Sequence, residues 1–328
     1  MRATGVESPA LEFRSVEGLD RAVRTVVRRC LGVSSGQDVL VIGDPGTREL
    51  AETLRAESED TGADAVLALM AERATDGTEP PPPVAAAMAA VDVFIAPTSR
   101  SLSHTQARKR ASEAGVRGAT MPGVTAEMLA RVMDVDLDAL AERCRAVADL
   151  LDHADEARLT CPCGSELRLD LRGRRGIADD GDLTAPGAFG NLPCGEGFVA
   201  PAGGEGRLVA SSLAALGLAD EPVTLSVEKG RLARASGALG AKFIGLLSAH
   251  GAAGTNLAEL GVGTNDRATL TGNVLEDEKI LGTVHVAFGA SAGIGGTVSV
   301  PIHLDVVVLD ATLEIGSTRV LDAGRLLL

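Results

Sequence analysis

The residues of this 328-residue chain best suited to chemistry are histidines and carboxylates. His303 and Asp305 stand two apart in PIHLDVVVL, which reads as a strand, so both side chains face one side. Together they can chelate a divalent ion, or form a core histidine held by its acid. His285 lies in GTVHVAFG, an apolar strand flanked by glycines. Glu259 lies in the apolar, glycine-bearing NLAELGVGTN, and Glu196 in NLPCGEGFVAP, which has few other charges. Glu276, Asp277 and Glu278 stand just before the His285 strand. Burying a bare carboxylate is costly, so each needs a partner, either a metal ion or a lysine or arginine. Several acids with two histidines suffice for two borderline cations sharing a bridging carboxylate.

Other polar groups carry weaker signals. His104 and His153 lie in polar helical stretches and read as surface residues, and His250 ends a helix. Arg174 and Arg175 either hold a substrate carboxylate or sit solvated on a turn. GASAGIGG (289–296) is a flexible loop between His285 and His303, able to close over a site or merely to connect a hairpin. GDPGT after a strand lacks both the dinucleotide and the P-loop pattern and reads as a turn. Cys30 and Cys144 read as core thiols. Cys161-Pro-Cys163 reads as two residues sharing a strand face, with a three-thiol site including Cys194 left open. There is no G-x-S-x-G nucleophile elbow.

The elements that must position these groups fall into two halves. Helical and strand patterns alternate over residues 1–135, with strands at 38–43, 64–71, 93–97 and 117–122. Alternation of this kind implies a doubly wound α/β domain with a mostly parallel sheet. A helix over 136–156 connects it to a β-rich α+β, metal-binding domain over 157–328, whose hairpins are read at 159–174 and 223–237. A net charge of −14 without a basic stripe argues against nucleic acid and anionic membranes as partners. No stretch is long and apolar enough to span a bilayer, the first 18 residues hold no secretory core, and the five cysteines are scattered, so a cytoplasmic chain with reduced thiols is expected.

The segments NLPCGEGFVAP, NLAELGVGTN, GNVLEDEKILGTVHVAFG and PIHLD keep, in order, a pattern that resembles the M29 metallo-aminopeptidases, the aminopeptidase T group. The resemblance implies a dinuclear ligand set of Glu196, Glu259, Glu278, His285, His303 and Asp305, with Glu196 and Glu278 also counted as catalytic. It further implies two divalent ions (zinc, cobalt or manganese), a water that attacks a peptide or small amide, a proton taken by Asp277 or Glu276, and a homodimer. The chain departs from the family in lacking the tyrosine that follows the histidine matching His285; it has no tyrosine at all. A metal-binding protein without peptidase activity is therefore an alternative. The chain also resembles the dihydroxypyridine ring-cleaving dioxygenases. They bind one Fe(II) through two histidines and a carboxylate; their H-x-D matches His303 and Asp305, while their other histidine falls at Glu259. Because Glu259, Glu196 and His285 are all present, the hydrolase pattern is the expected one.

Overall fold

The structure is a computed structural model that describes residues 16–328. Most of the N-terminal stretch read above against a secretory leader lies outside the described residues.

Five parallel strands make the first sheet. Strands β1 (Asp38–Gly43), β2 (Asp64–Leu69), β3 (Val93–Ala96) and β4 (Arg117–Thr120) alternate with α1 (Leu19–Arg24), α2 (Arg48–Glu59), α3 (Pro82–Met88), α4 (Gln106–Glu113), α5 (Ala126–Val132) and α6 (Leu137–His153). All four residues of β3 are buried, as a parallel strand covered on both faces requires. Its side chains alternate between two cores. Val93 and Ile95 pack with the α1, α5 and α6 side, and Phe94 and Ala96 with the α3 and α4 side. Residues 18–32 have helical apolar spacing, and they form α1 continued by one π-helical stretch, Thr25–Cys30. Helix α5 escaped the sequence reading; Thr125 caps it, accepting from Met128 N.

The second sheet is antiparallel and long. It contains β5 (Glu156–Thr160), β6 (Glu166–Asp170), β7 (Ile177–Asp179), β9 (Glu196–Val199), β10 (Gly203–Leu213), β11 (Gly217–Glu228), β12 (Arg231–Ala235), β13 (Leu257–Gly263), β14 (Val284–Gly289), β15 (His303–Val308), β16 (Thr312–Ile315), β17 (Thr318–Asp322) and β18 (Arg325–Leu326). The intervening β8 (Phe189–Asn191) instead pairs parallel with β4 and closes the first sheet. Within five residues of Asn191 the chain has crossed into β9 and reached Glu196. This is the α/β plus β-rich α+β architecture that the alternation of patterns implied.

Register does the positioning. In antiparallel strands, directly paired residues share a face. Asp179 pairs with Glu196, Glu196 with Gly263, Gly261 with His285, Ala287 with Glu259 and Asp305, and Gly289 with His303. One face of β7-β9-β13-β14-β15 therefore carries two histidines and four acids, separated by glycine and alanine. The opposite face carries Leu260, Val262, Val284, Val286, Phe288, Leu304, Val306 and Val308, all in one apolar core. Burying that face holds the polar one in place, since slipping one residue would turn every acid inward.

Cys161 and Cys163 are joined by a disulfide across the β5–β6 turn, rather than reduced as expected. Their Cα atoms lie 5.2 Å apart, within the span a disulfide bridges. Cys194 is buried with Cys30 and Cys144 in the core beneath the first sheet, so the three-thiol site is not assembled. No helix among the described residues is long and apolar enough to cross a membrane.

Candidate metal centre

Two groups of ligand atoms converge at the floor of a cavity of about 510 Å³. One comprises Glu196, Glu259 and His285, the other Glu259, His303 and Asp305. Glu259 belongs to both. Its Oε1 lies 3.3 Å from His285 Nε2 and its Oε2 lies 3.4 Å from His303 Nε2. Glu196 Oε2 is 2.8 Å from His285 Nε2, and Asp305 Oδ1 is 3.6 Å from His303 Nε2.

These residues fit bound cations on three observations. Glu196 Oε2 is buried with no hydrogen-bond partner among the described residues, despite its closeness to an imidazole nitrogen. A β-carbon at position 261 would stand 2.0 Å from His285 Nε2, so only glycine leaves the imidazole its place. The His303 Nδ1 lies 2.7 Å from the Ala290 carbonyl; donating there, it turns Nε2 toward the acids.

The electrostatics run the same way. Burial disfavours charge on both imidazoles, yet the acids outweigh it: Glu196 and Glu259 hold His285, and Asp305 and Glu259 hold His303, well above the usual histidine range. Burial likewise opposes charge on Glu196, but Lys279 and His285 hold its carboxyl down to about 2. Acids that favour positive charge on both imidazoles also favour a bound cation.

Glu278 does not join either ligand group. It lines the cavity, but its Oε1 accepts from Lys279 Nζ at 2.8 Å. The fully buried Lys279 also reaches Glu196 Oε1 at 2.5 Å and Asp179 Oδ2 at 3.5 Å. Burial pushes Glu278 up to about 8 and Asp179 up to about 7, with Lys279 pulling both back. Neither Glu276 nor Asp277 is placed to take a proton in the cavity. Glu276 is bound by Arg131 and Thr269, and Asp277 by Ser212 and the Thr271 and Gly272 amides. Their lone pairs fasten the 269–277 loop instead.

Sequence reasoning missed Asp179, Lys279 and His104. His104 is not a surface residue: its ring stacks on His303 at 4.8 Å between centroids and lines the cavity. Burial, then the His303 charge, pushes it down to about 3. The spacing of His104 to the Thr105 cap of α4 was the available signal, because residues before a helix start lie on loops at strand ends. Arg174 donates to Gly295 O at 3.2 Å and Arg175 pairs with Asp152, both at the surface. The 289–296 loop does border the cavity, through Gly293 and Ile294.

The fold recurs in solved structures. A 2,5-dihydroxypyridine dioxygenase from Pseudomonas putida KT2440 superposes with a TM-score of 0.80 at 19% identity, covering 94% of this chain and 96% of that one. Wild-type AmpT from Thermus thermophilus superposes with a TM-score of 0.69 at 18% identity, covering 95% and 99%. No curated protein matches the sequence. A family described as NicX: 2,5-dihydroxypyridine 5,6-dioxygenase matches residues 19–328. Of the two resemblances met in the sequence, the dioxygenase one is thus the direct match, and the chain belongs to the NicX family of enzymes.

Proposed function

We propose that this chain is a two-metal hydrolase that removes the N-terminal residue of a small peptide or opens a small amide. The observation that carries the reading is Glu259, whose two oxygens face two separate ligand groups. Glu196 and His285 would hold one cation and His303 and Asp305 the other, with Glu259 shared between them. Carboxylates and imidazoles of this kind suit zinc, cobalt or manganese. Two such ions, when bound, supply an acidified water and a polarised carbonyl.

The chain's own groups do the rest. The Ala290 carbonyl fixes the His303 tautomer. Lys279 occupies one oxygen of Glu196 and leaves the other to the floor. Glu278 lies in the wall outside both groups, where it can take a proton from water and return it to the leaving amine. Leu275, Ile294 and Ile302 give the cavity an apolar wall that limits water.

Family membership favours a second reading, a ring-cleaving dioxygenase with one Fe(II). Such iron sites use two histidines and one carboxylate. The His303 group here has one histidine and two carboxylates, which supports the hydrolase over it. Elemental analysis of protein purified anaerobically without chelators separates the two. About two ions per chain, falling to about one in His285→Ala, is the expected result. About one iron per chain, unchanged by His285→Ala and lost in His303→Ala, would overturn the proposal.

A further inference from the structure

The cavity has two ends of opposite character. One is the floor of acids and imidazoles. The other lies at the first turn of α4, where Arg108 lines the wall. Arg108 Nε donates to the Ser103 carbonyl at 2.7 Å, and its Cζ sits 4.4 Å from the centre of the Phe189 ring. These two contacts fix the guanidinium plane while using one of its five N–H donors. No carboxylate among the described residues pairs with it; the nearest acid influence is the more distant Glu113.

Arg108 Nη2 lies toward the Gly293 loop, and both residues line the cavity. A β-carbon on Gly293, in the loop across from it, would stand 3.5 Å from Arg108 Nη2 and 3.9 Å from His104 Nδ1. His104 in turn stacks on His303. Arg108 and His104 thus meet beside Gly293, and His104 meets His303, all within the lining of one cavity. A half-buried, oriented guanidinium without an acid is costly unless an anion completes it, and planar carboxylate matches its fork.

We propose that Arg108 is the specificity residue of this cavity, holding the carboxylate of a small substrate whose reacting group lies over the Glu259 floor. The inference takes the cavity to be the reaction site, as proposed above, and narrows its substrates to small carboxylic acids such as a dipeptide or an N-acyl amino acid.

Calorimetric titration of the purified, metal-containing protein with benzoate and with benzamide, its uncharged isostere, tests it. In the wild type benzoate is expected to bind roughly tenfold or more tighter than benzamide. Arg108→Met should remove that preference with metal content and benzamide affinity unchanged, and Arg108→Lys should keep part of it. Comparing variants at equal metal content isolates the arginine from any benzoate held by the ions. Failure of benzoate to bind, equal binding of the two probes in the wild type, or unweakened benzoate binding in Arg108→Met would each sink the idea. Should Arg108→Met not fold, Arg108→Lys carries the comparison, a several-fold drop being expected and an unchanged affinity being fatal. Metal counts that contradict two ions per chain, alongside an intact Arg108 effect, fell the hydrolase reading alone. The reverse pattern fells only the carboxylate site.

Discussion

The floor of the cavity and its rim are built on different principles. On the floor, Glu196, Glu259, His285 and Asp305 are buried residues at strand positions, locked by the pairing of β9, β13, β14 and β15. On the rim, Ser103, His104, Arg108 and Gly293 come from the loop after β3, the start of α4 and the β14–β15 loop. Strands hold donor atoms to the tolerance an ion demands, whereas loops tolerate change in length and residue type. A scaffold divided in this way can keep its fold while its substrate, and even its reaction, changes. The likeness in fold to both a dihydroxypyridine dioxygenase and AmpT, at under 20% identity to each, fits that division.

The most damaging change on the floor should be Glu259→Ala. Because one residue serves both groups, both ions should be lost together and activity should fall about a thousandfold or more, as when a group essential to the reaction is removed. Metal counts that drop by only one ion would show that the two groups are independent. Lys279→Met should cost about 3–5 kcal/mol by leaving three buried acids uncompensated. The sign with pH follows from Asp179 at about 7 and Glu278 at about 8, raised chiefly by burial. Without Lys279 both rise further, so the folded state binds more protons than the unfolded one. Stability is then lost as pH rises through those values and recovered in acid. Thermal melts from about pH 5 to 8 would read this; a pH-independent loss would mean that Lys279 acts by packing alone.

Gly261→Ala tests the floor more gently. Its β-carbon displaces the His285 ring, and a 10- to 100-fold weaker affinity for one ion is expected in metal titrations, with the other ion unaffected. Metal uptake should also release protons, since the acids hold both imidazoles above their usual range. Affinity should therefore fall by up to about tenfold per unit of acidification for each proton displaced, visible as a buffer-dependent heat of binding. Heats that do not vary with the buffer would place neutral histidines in the metal-free state. At the rim, Arg174→Ala should change stability by no more than about 0.5 kcal/mol, because its carbonyl contact is at the surface.

Part of this site was legible in the sequence. His303 and Asp305 share a face by the two-residue period of a strand, a rule that needs no partner strand. Glu196, Glu259 and His285 were marked by acids or imidazole set in apolar, glycine-bearing segments, and the structure does bring them together. Glu278 was marked by standing just before the His285 strand and by the family resemblance, but its neighbour Lys279 claims it. The lysine carried no signal of its own, because nothing local to EDEK shows that the segment is buried. His104 was misread for a related reason: polar neighbours on the chain say nothing of what a loop folds over.

The alternation of patterns by itself determined the two halves, the parallel first sheet and the β-rich second, because period and apolar content are local properties of the chain. Tertiary structure alone decided the rest. It set the register that places β7, β9, β13, β14 and β15 in one order, so that residues from Asp179 to Asp305 share a face. It also moved β8 into the first sheet, bringing Phe189 beneath Arg108. The physical reason is that strand pairing and loop closure join residues as distant in the chain as Glu196 and Gly263 or Gly118 and Phe189. What selects one pairing is the burial of the whole opposite face, which no single segment contains.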